Sequence, residues 1–392
     1  MDEELLHAAE RVLGKLWGAP VTCEIAERFR DNAPRRPGAS HVWRLRVAGG
    51  PVASVILKAS LGDESHPFRV GDDALDGPFN RLVCEWAGLE MIAPHGLGPR
   101  ALGGDIARGF CLIEDLGAGD ALADRLLGDD PDAARAALFA YARSLGDMHA
   151  ATAGAEARWS ELRRALGAPE GSPSHAARDW PSESAGFTSY LQSLGIAPAS
   201  LADDLAAIGE ALVRPGPYLA FTPSDCCPDN HVLRGDRVVF FDCEGAQMRH
   251  ALLDAAYFVA PFPTCWCCAH LPEDLPEALL AAYRERFSGG ADFDEQLTLM
   301  LACWLAGTVA RFALMGWADR DLPWLVSSTR QRGLELMRNF LARPGATRLL
   351  PGLSEAVATL AAQLKEAWSD LVPMPRHPVF GGPPAAHPAT AR

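Results

Sequence analysis

The run Ser224-Asp225-Cys226-Cys227-Pro228-Asp229-Asn230-His231-Val232-Leu233 decides the reading of this chain. Asp225 and Asn230 bracket a loop that feeds an apolar strand, and Arg234-Gly235-Asp236 turns it back into a second strand from Val238 to Phe241. With Leu233 opposite Arg237, Asn230 falls opposite Phe240, and Asp242 lies just past it at the same open end. Three oxygen-bearing side chains converge there. A carboxamide beside a carboxylate, Asn230 with Asp242, makes a pair of hard ligands suited to Mg²⁺, and Asp225 is placed to accept a proton from a hydroxyl. Any one of these residues alone would read as a turn or cap residue; their convergence is what carries chemistry.

Two further residues share an electrostatic problem. In the helical stretch 78–93, Leu82, Glu85, Leu89 and Ile92 form one stripe, which puts Glu85 inside an apolar face. Lys58 ends the otherwise apolar strand Val55-Ile56-Leu57-Lys58. Burying either charge alone costs several kcal/mol, so a buried carboxylate needs a buried cation, and the two residues would solve each other's problem. The plainer alternative is that both reach solvent.

Outward from these positions the chain divides in two. An amphipathic helix over residues 1–17 precedes short apolar runs broken by turn formers, Val21 to Ile25, Val42 to Val47 and Val52 to Leu57, which predict an antiparallel sheet. The helix opened by Pro78 and a strand pair near Pro99–Leu102 and Phe110–Glu114 complete the first unit. The remainder is helical, with the strand island at 218–241. The expected fold is α+β: residues 1–115 form a small antiparallel-sheet lobe with one key helix, and 116–372 form a large, mainly helical lobe. A cleft should lie between them. Residues 373–392, rich in Pro, Gly and Ala, read as a disordered tail.

Composition excludes several classes. Of 392 residues, 36 are basic and 50 acidic, a net charge of −14, which argues against nucleic acid as a partner. The acidic start Met1-Asp2-Glu3-Glu4 lacks the basic n-region of a secretory signal. The apolar stretch Leu297 to Ala310 is short for a membrane span and reads as a buried helix. A cytoplasmic protein with reduced thiols is expected. The cluster Cys265-Trp266-Cys267-Cys268-Ala269-His270 invites a zinc reading, but one cluster without a second, distant pair has poor metal-site spacing, and buried thiols are the expected state. No phosphate loop of the G-x-x-x-x-G-K-[ST] type, complete dinucleotide turn, H-E-x-x-H or G-x-S-x-G occurs.

A strand lysine, a helix glutamate, a catalytic aspartate with an asparagine five residues on, and a metal aspartate are the parts of a kinase. The sequence resembles the aminoglycoside phosphotransferase and choline kinase-like branch of the protein-kinase fold. Gly38-Ala39-Ser40-His41-Val42-Trp43-Arg44-Leu45 looks like that family's nucleotide-covering loop, and Cys111-Leu112-Ile113-Glu114-Asp115-Leu116-Gly117 looks like its hinge. Leu145-Gly146-Asp147-Met148-His149-Ala150 resembles the helix end before its substrate region. Phe241-Asp242-Cys243-Glu244-Gly245-Ala246, with Leu253-Asp254-Ala255-Ala256, resembles its metal segment and the helix behind it.

The resemblance implies ATP and Mg²⁺ as cofactors and a small-molecule hydroxyl as acceptor. Lys58 would hold the α- and β-phosphates, Glu85 would position Lys58, and Ser40 would help cover the phosphates. Main-chain groups at Glu114 and Leu116 would receive the adenine, and Asp225 would be the catalytic base. Asn230 and Asp242 would hold Mg²⁺, Asp254 would brace the loop, and Glu244 would face the acceptor or be structural. The acceptor pocket would come from residues 154–217 and the helices after 270. There Glu273, Asp274, Glu277, Asp319 and Asp321 would suit a cationic acceptor such as an aminoglycoside or amino alcohol, or would simply be a solvated surface. The chain departs from the family at one point, with Pro223-Ser224-Asp225 where His-Gly-Asp is usual. That keeps a second reading open: a weak or silent nucleotide-binding module of the same fold.

Overall fold

The computed structural model describes residues 2–29, 40–72, 74–169 and 174–384. The first lobe runs α1 (Asp2–Trp17), β1 (Thr22–Phe29), β2 (His41–Ala48), β3 (Ser54–Ala59), α2 (Pro78–Ile92), β4 (Ala101–Asp105) and β5 (Phe110–Glu114). Its strands form one antiparallel sheet in the order β1-β2-β3-β5-β4. The pattern behind it is simple alternation: Trp43, Leu45 and Val47 of β2 and Val55, Leu57 and Ala59 of β3 point to one face, where they meet Leu5, Ala8, Ala9 and Leu13 of α1.

The second lobe is built from α3 (Leu122–Leu127), α4 (Pro131–Thr152), α5 (Glu156–Ala165), α6 (His175–Ser193) and α7 (Leu201–Val213), then β6 (Leu219–Thr222), β7 (His231–Arg234), β8 (Arg237–Phe240) and β9 (Gln247–His250). It continues through α8 (Leu252–Val259), α9 (Leu275–Arg284), α10 (Phe293–Leu314), α11 (Thr329–Ala342), α12 (Ala346–Leu349) and α13 (Pro351–Ala367). Asp130 caps α4 through hydrogen bonds to the N–H groups of Asp132 and Ala133, with Pro131 at the first turn as expected. This is the α+β architecture expected from the sequence, a small sheet lobe followed by a large helical one. Helix α2 joins them, because Leu82, Cys84, Ala87 and Leu89 pack into the same core as Phe221, Phe240 and Cys243 of the helical lobe.

Three sequence expectations need correction. The β7–β8 hairpin pairs Arg234 with Arg237 and His231 with Phe240, one residue from the expected register. Its loop is only Gly235-Asp236, and Gly235 takes φ 63°, the left-handed conformation that two-residue hairpin loops require. Asn230 therefore faces Phe241, whose N–H donates to the Asn230 carbonyl at 3.4 Å. Strand β9, which pairs antiparallel with β6, is an addition to the expected strand island.

Helix α10 is longer than the apolar stretch suggested, spanning 22 residues. It has the length and apolarity to cross a bilayer, but Leu297, Met300, Leu301, Leu305 and Val309 are buried within this fold, so it is the core helix of the second lobe.

The third correction concerns the segment after 372. Residues 373–384 are anchored at His377 and Val379 while 373, 376, 381, 383 and 384 are exposed, and 385–392 of the expected tail lie outside the described residues. The His270 N–H donates to the Pro375 carbonyl at 2.8 Å, and the His377 N–H returns to the His270 carbonyl at 3.3 Å. Arg135 of α4 stacks over Phe380. Val379 and His377 are buried, so apolar burial and main-chain pairing outweigh the disorder-prone composition.

Neither ring nitrogen of His377 has a partner among the described residues, and burial pushes its pKa down to about 3. The unfolded chain therefore takes up a proton below about pH 6.5 that the folded protein refuses. The stability this neutral ring provides is intact above that pH and drains away as pH falls toward 3. Against a His377→Leu variant, wild type should lose about 2 kcal/mol between pH 7 and pH 5. Urea unfolding of the pair at both pH values measures it, and parallel pH profiles would contradict the assignment.

Candidate active site

Lys58, at the end of β3, and Glu85, on the buried stripe of α2, meet as the sequence predicted. The Lys58 Nζ lies 2.7 Å from Glu85 Oε2 and 2.7 Å from Asp242 Oδ1. Glu85 is 1% exposed. Burial works against the ammonium, but Asp242, Glu85 and Glu244 outweigh it and hold Lys58 charged, well above its usual value. Glu85 Oε2 also accepts from the Cys243 N–H at 2.8 Å, so one carboxylate fixes both the lysine and the segment that carries Asp242.

Gly88 makes this approach possible. A Cβ there would stand 2.7 Å from Cys243 Cβ and 3.1 Å from the Phe221 ring. Gly88→Val should cost about 1–3 kcal/mol by overpacking and force α2 away from Asp242. Gly186→Ala on α6 is the control, since its Cβ would meet only Ala310 at an ordinary 3.5 Å. Denaturant midpoints that fall equally in both variants would refute the close-approach account.

The loop that carries Asp225 is held by its carbonyls, each of which has a donor over five consecutive residues. Ser224 O accepts from Arg249 Nη2 at 3.3 Å, Asp225 O from Asn230 Nδ2 at 3.2 Å, and Cys226 O from Tyr141 Oη at 2.9 Å. Cys227 O accepts from Asn230 N at 3.0 Å and Pro228 O from Ala123 N at 2.9 Å. A loop whose carbonyls each have a donor holds its side chains in one geometry. Asp225 Oδ1 accepts the Cys227 N–H at 3.2 Å. Burial, and then the neighbouring charge of Asp242, raises the Asp225 pKa and makes it a stronger base.

Ser224, at the position where the resembled family usually has glycine, adopts the left-handed conformation that favours glycine, with φ 67°. A residue with a Cβ pays about 1–2 kcal/mol there. Two contacts hold it: Ser224 Oγ accepts from Gln247 Nε2 at 2.7 Å, and Arg249 grips its carbonyl. Arg249 Nη2 also bonds Asp254 Oδ1 at 2.5 Å, and Asp254 Oδ2 lies 3.4 Å from His149 Nε2. Burial opposes ionisation of Asp254, but Arg249 and His149 keep its carboxyl below the usual range. Asp254 therefore braces the loop through Arg249. Gln247 and Arg249 are the site residues that sequence reasoning missed. Their only local signal was a polar pair, alternating with Met248 and His250, in a stretch left without a strand assignment.

The remaining predicted residues fall as follows. Ser40 Oγ lies 3.0 Å from Ser60 Oγ and donates to Glu244 Oε2 at 2.8 Å. Glu244 is also 3.7 Å from Lys58 Nζ. Gly38 and Ala39 of the covering loop lie outside the described residues. At the hinge, Asp115 anchors the turn to Arg44, Ser54 and the Gly117 N–H, at 2.7–2.8 Å. Glu114 pairs with Arg100 at 3.2 Å. The Leu116 carbonyl, one of the groups assigned to adenine, is taken by the Arg234 guanidinium. Of the acidic residues assigned to an acceptor, Asp274 pairs with Arg135, Glu277 with Arg343, and Asp321 accepts from the Arg330 N–H at the start of α11. Those three are engaged within the fold.

The donor set fits a hard divalent cation. The Asn230 amide nitrogen is committed to Asp225 O, which leaves its oxygen as the ligand atom, and Asp242 and Glu244 offer carboxylate oxygens beside Lys58.

No family model and no curated protein matches the chain. Among solved structures it is similar to a putative aminoglycoside phosphotransferase from Ralstonia eutropha, at 15% identity and TM-score 0.49 over 92% of this chain and 98% of that one. It is also similar to choline kinase from Streptococcus pneumoniae, at 14% identity and TM-score 0.46 over 90% and 99% of the two chains. Macrolide 2′-phosphotransferase from Brachybacterium faecium matches at 20% identity and TM-score 0.44 over 81% and 93%.

Proposed function

We propose that this chain is a cytoplasmic, Mg²⁺- and ATP-dependent phosphotransferase that moves the γ-phosphoryl group to a hydroxyl of a small molecule. The observation that carries the reading is a charged buried lysine held between Glu85 and Asp242, with Asn230 bonded through its main chain to Phe241 beside Asp242, and a base, Asp225, whose proton affinity is raised by burial and by the charge of Asp242. Lys58 is poised to meet the negative charge of the nucleotide phosphates. Asp225 would take the proton of the acceptor hydroxyl as its oxygen bonds to the γ-phosphorus and the bond to the β-phosphate oxygen breaks. Asn230 and Asp242 would hold Mg²⁺, which supplies charge neutralisation at the phosphates when bound. The rest is positioning, and the satisfied carbonyls of the 224–228 loop provide it.

The second reading, a silent nucleotide-binding module, was motivated by Pro223-Ser224. The left-handed Ser224 and its Arg249 brace favour transfer over it, because they give Asp225 a fixed seat without the usual His-Gly pair. The test is to incubate the chain with Mg²⁺-ATP and a panel of aminoglycosides, macrolides, amino alcohols and sugars, reading product masses. One class should gain a single phosphoryl group. Binding of ATP with no phosphorylated product from any class would establish the silent module instead.

A further inference from the structure

The fold supplies the second pair that the cysteine cluster lacked in sequence. Cys227-Pro228-Asp229, on the catalytic loop, comes against Cys265-Trp266-Cys267 from the segment after α8. The Cys227 Sγ, an Asp229 carboxylate oxygen and the Cys265 Sγ all lie within 4.8 Å of one another, and Cys267 Sγ is 3.3 Å from Cys265 Sγ. Cys265 and Cys267 are buried, while Cys227 is half-buried, which leaves a route in for an ion.

The surroundings are already organised. Trp266 Nε1 donates to Asp229 Oδ2 at 2.7 Å, which orients the carboxylate as outer-shell partners of metal ligands do. The buried guanidinium of Arg332 donates to the Pro263, Cys265 and Trp266 carbonyls at 2.8–3.4 Å and fixes the shape of the cysteine segment. Cys227 Sγ contacts Tyr257 Oη at 3.1 Å and shares a hydrogen bond with the Cys265 thiol, contacts that an ion would replace.

We propose that Cys227, Asp229, Cys265 and Cys267 bind one thiophilic divalent ion, with Zn²⁺ as the natural probe. Three thiolates and one carboxylate make a four-ligand set of the kind zinc takes in tetrahedral sites. Donor softness separates this site from the oxygen donors of Asn230 and Asp242: Mg²⁺ prefers the latter, and a thiophilic ion the former. Each thiol gives up its proton on binding, so affinity climbs with pH. The ion would cross-link the catalytic loop to the post-α8 segment two residues from Asp225, whose carboxylate accepts the Cys227 N–H.

The experiment uses the full chain, stripped with chelator under reducing conditions and titrated with Co²⁺, then Zn²⁺. One equivalent of Co²⁺ should give the visible d–d bands of a tetrahedral site and a thiolate charge-transfer band, and Zn²⁺ should displace it and raise the melting temperature. Cys227→Ser and Cys265→Ser should abolish those bands, Cys23→Ser on β1 should keep them, and Trp266→Phe should weaken binding about 10- to 100-fold. Absence of tetrahedral Co²⁺ bands in the wild type overturns the proposal, as does an unchanged affinity in Cys227→Ser. Neither readout involves nucleotide or transfer, so failure here and failure of the phosphotransferase reading are told apart.

Discussion

Replacing Asp225 by Asn should cut the proposed phosphoryl transfer by orders of magnitude while leaving the fold and nucleotide binding in place. The amide oxygen of Asn can still accept the Cys227 N–H that Asp225 Oδ1 accepts, and the loop carbonyls keep their donors, so the geometry survives. What disappears is a proton acceptor. General-base contributions are about 10²–10⁴-fold, and kcat should fall by that factor while the Kd for Mg²⁺-ATP changes little. The unfolding temperature should hold or rise slightly, because the substitution removes a carboxylate whose ionisation burial disfavours. The wild-type rate should climb with pH as Asp225 loses its proton, above the usual carboxylate range, and the residual rate of the variant should lack that limb. A kcat within several-fold of wild type would remove Asp225 from the chemistry.

The second large effect is on stability. Lys58→Met leaves Glu85, 1% exposed, without its cation, and breaking a buried pair from one side costs about 3–5 kcal/mol. Burial already lifts the Glu85 carboxyl to about 7 with Lys58 in place, and removing the cation lifts it further. A raised carboxyl pKa means that the folded variant keeps a proton which the unfolded chain releases above about 4.5. The variant should therefore lose about 1.4 kcal/mol for each pH unit as pH rises from that point to the folded value, and should look healthiest in mild acid. Lys58→Met with Glu85→Met, which buries two apolar side chains of similar volume, should recover most of the stability and none of the transfer. Denaturant unfolding at pH 5 and pH 8 on the single and double variants separates the two roles. A double variant as unstable as the single one would show that the pair is not the source of the cost.

Local spacing narrowed the site without deciding it. A carboxylate on an apolar helical stripe and a lysine ending an apolar strand could pair or reach solvent, the resemblance favoured pairing, and Lys58 and Glu85 pair at 2.7 Å. Asp225, Asn230 and Asp242 were legible because a loop and a hairpin place them at one end whichever of two registers the hairpin takes. The register itself depended on how many residues Gly235 lets the turn use, and a left-handed glycine allows the tighter choice.

Contacts made across the chain were not legible. Arg249 earns its role only because β9 lies beside β6 and brings its guanidinium to Ser224 O and Asp254. The contacts of Glu244 with Ser40 and Lys58 join residues far apart in the chain and could not be read from local spacing. The segment at 373–384 has the composition of a tail, and its middle is anchored because His270 offers both main-chain groups to it. The acidic residues assigned to an acceptor were read as a charge pattern, and arginines distant in sequence hold Asp274 and Glu277.

The most direct test of the central claim is ADP release from Mg²⁺-ATP, with and without hydroxyl acceptors, by wild type and Asp225→Asn side by side. The account predicts release stimulated by one acceptor class, dependent on Mg²⁺, and reduced at least about 100-fold in the variant. Equal release from the two proteins, or none from either in the presence of every acceptor while ATP still binds, would contradict it.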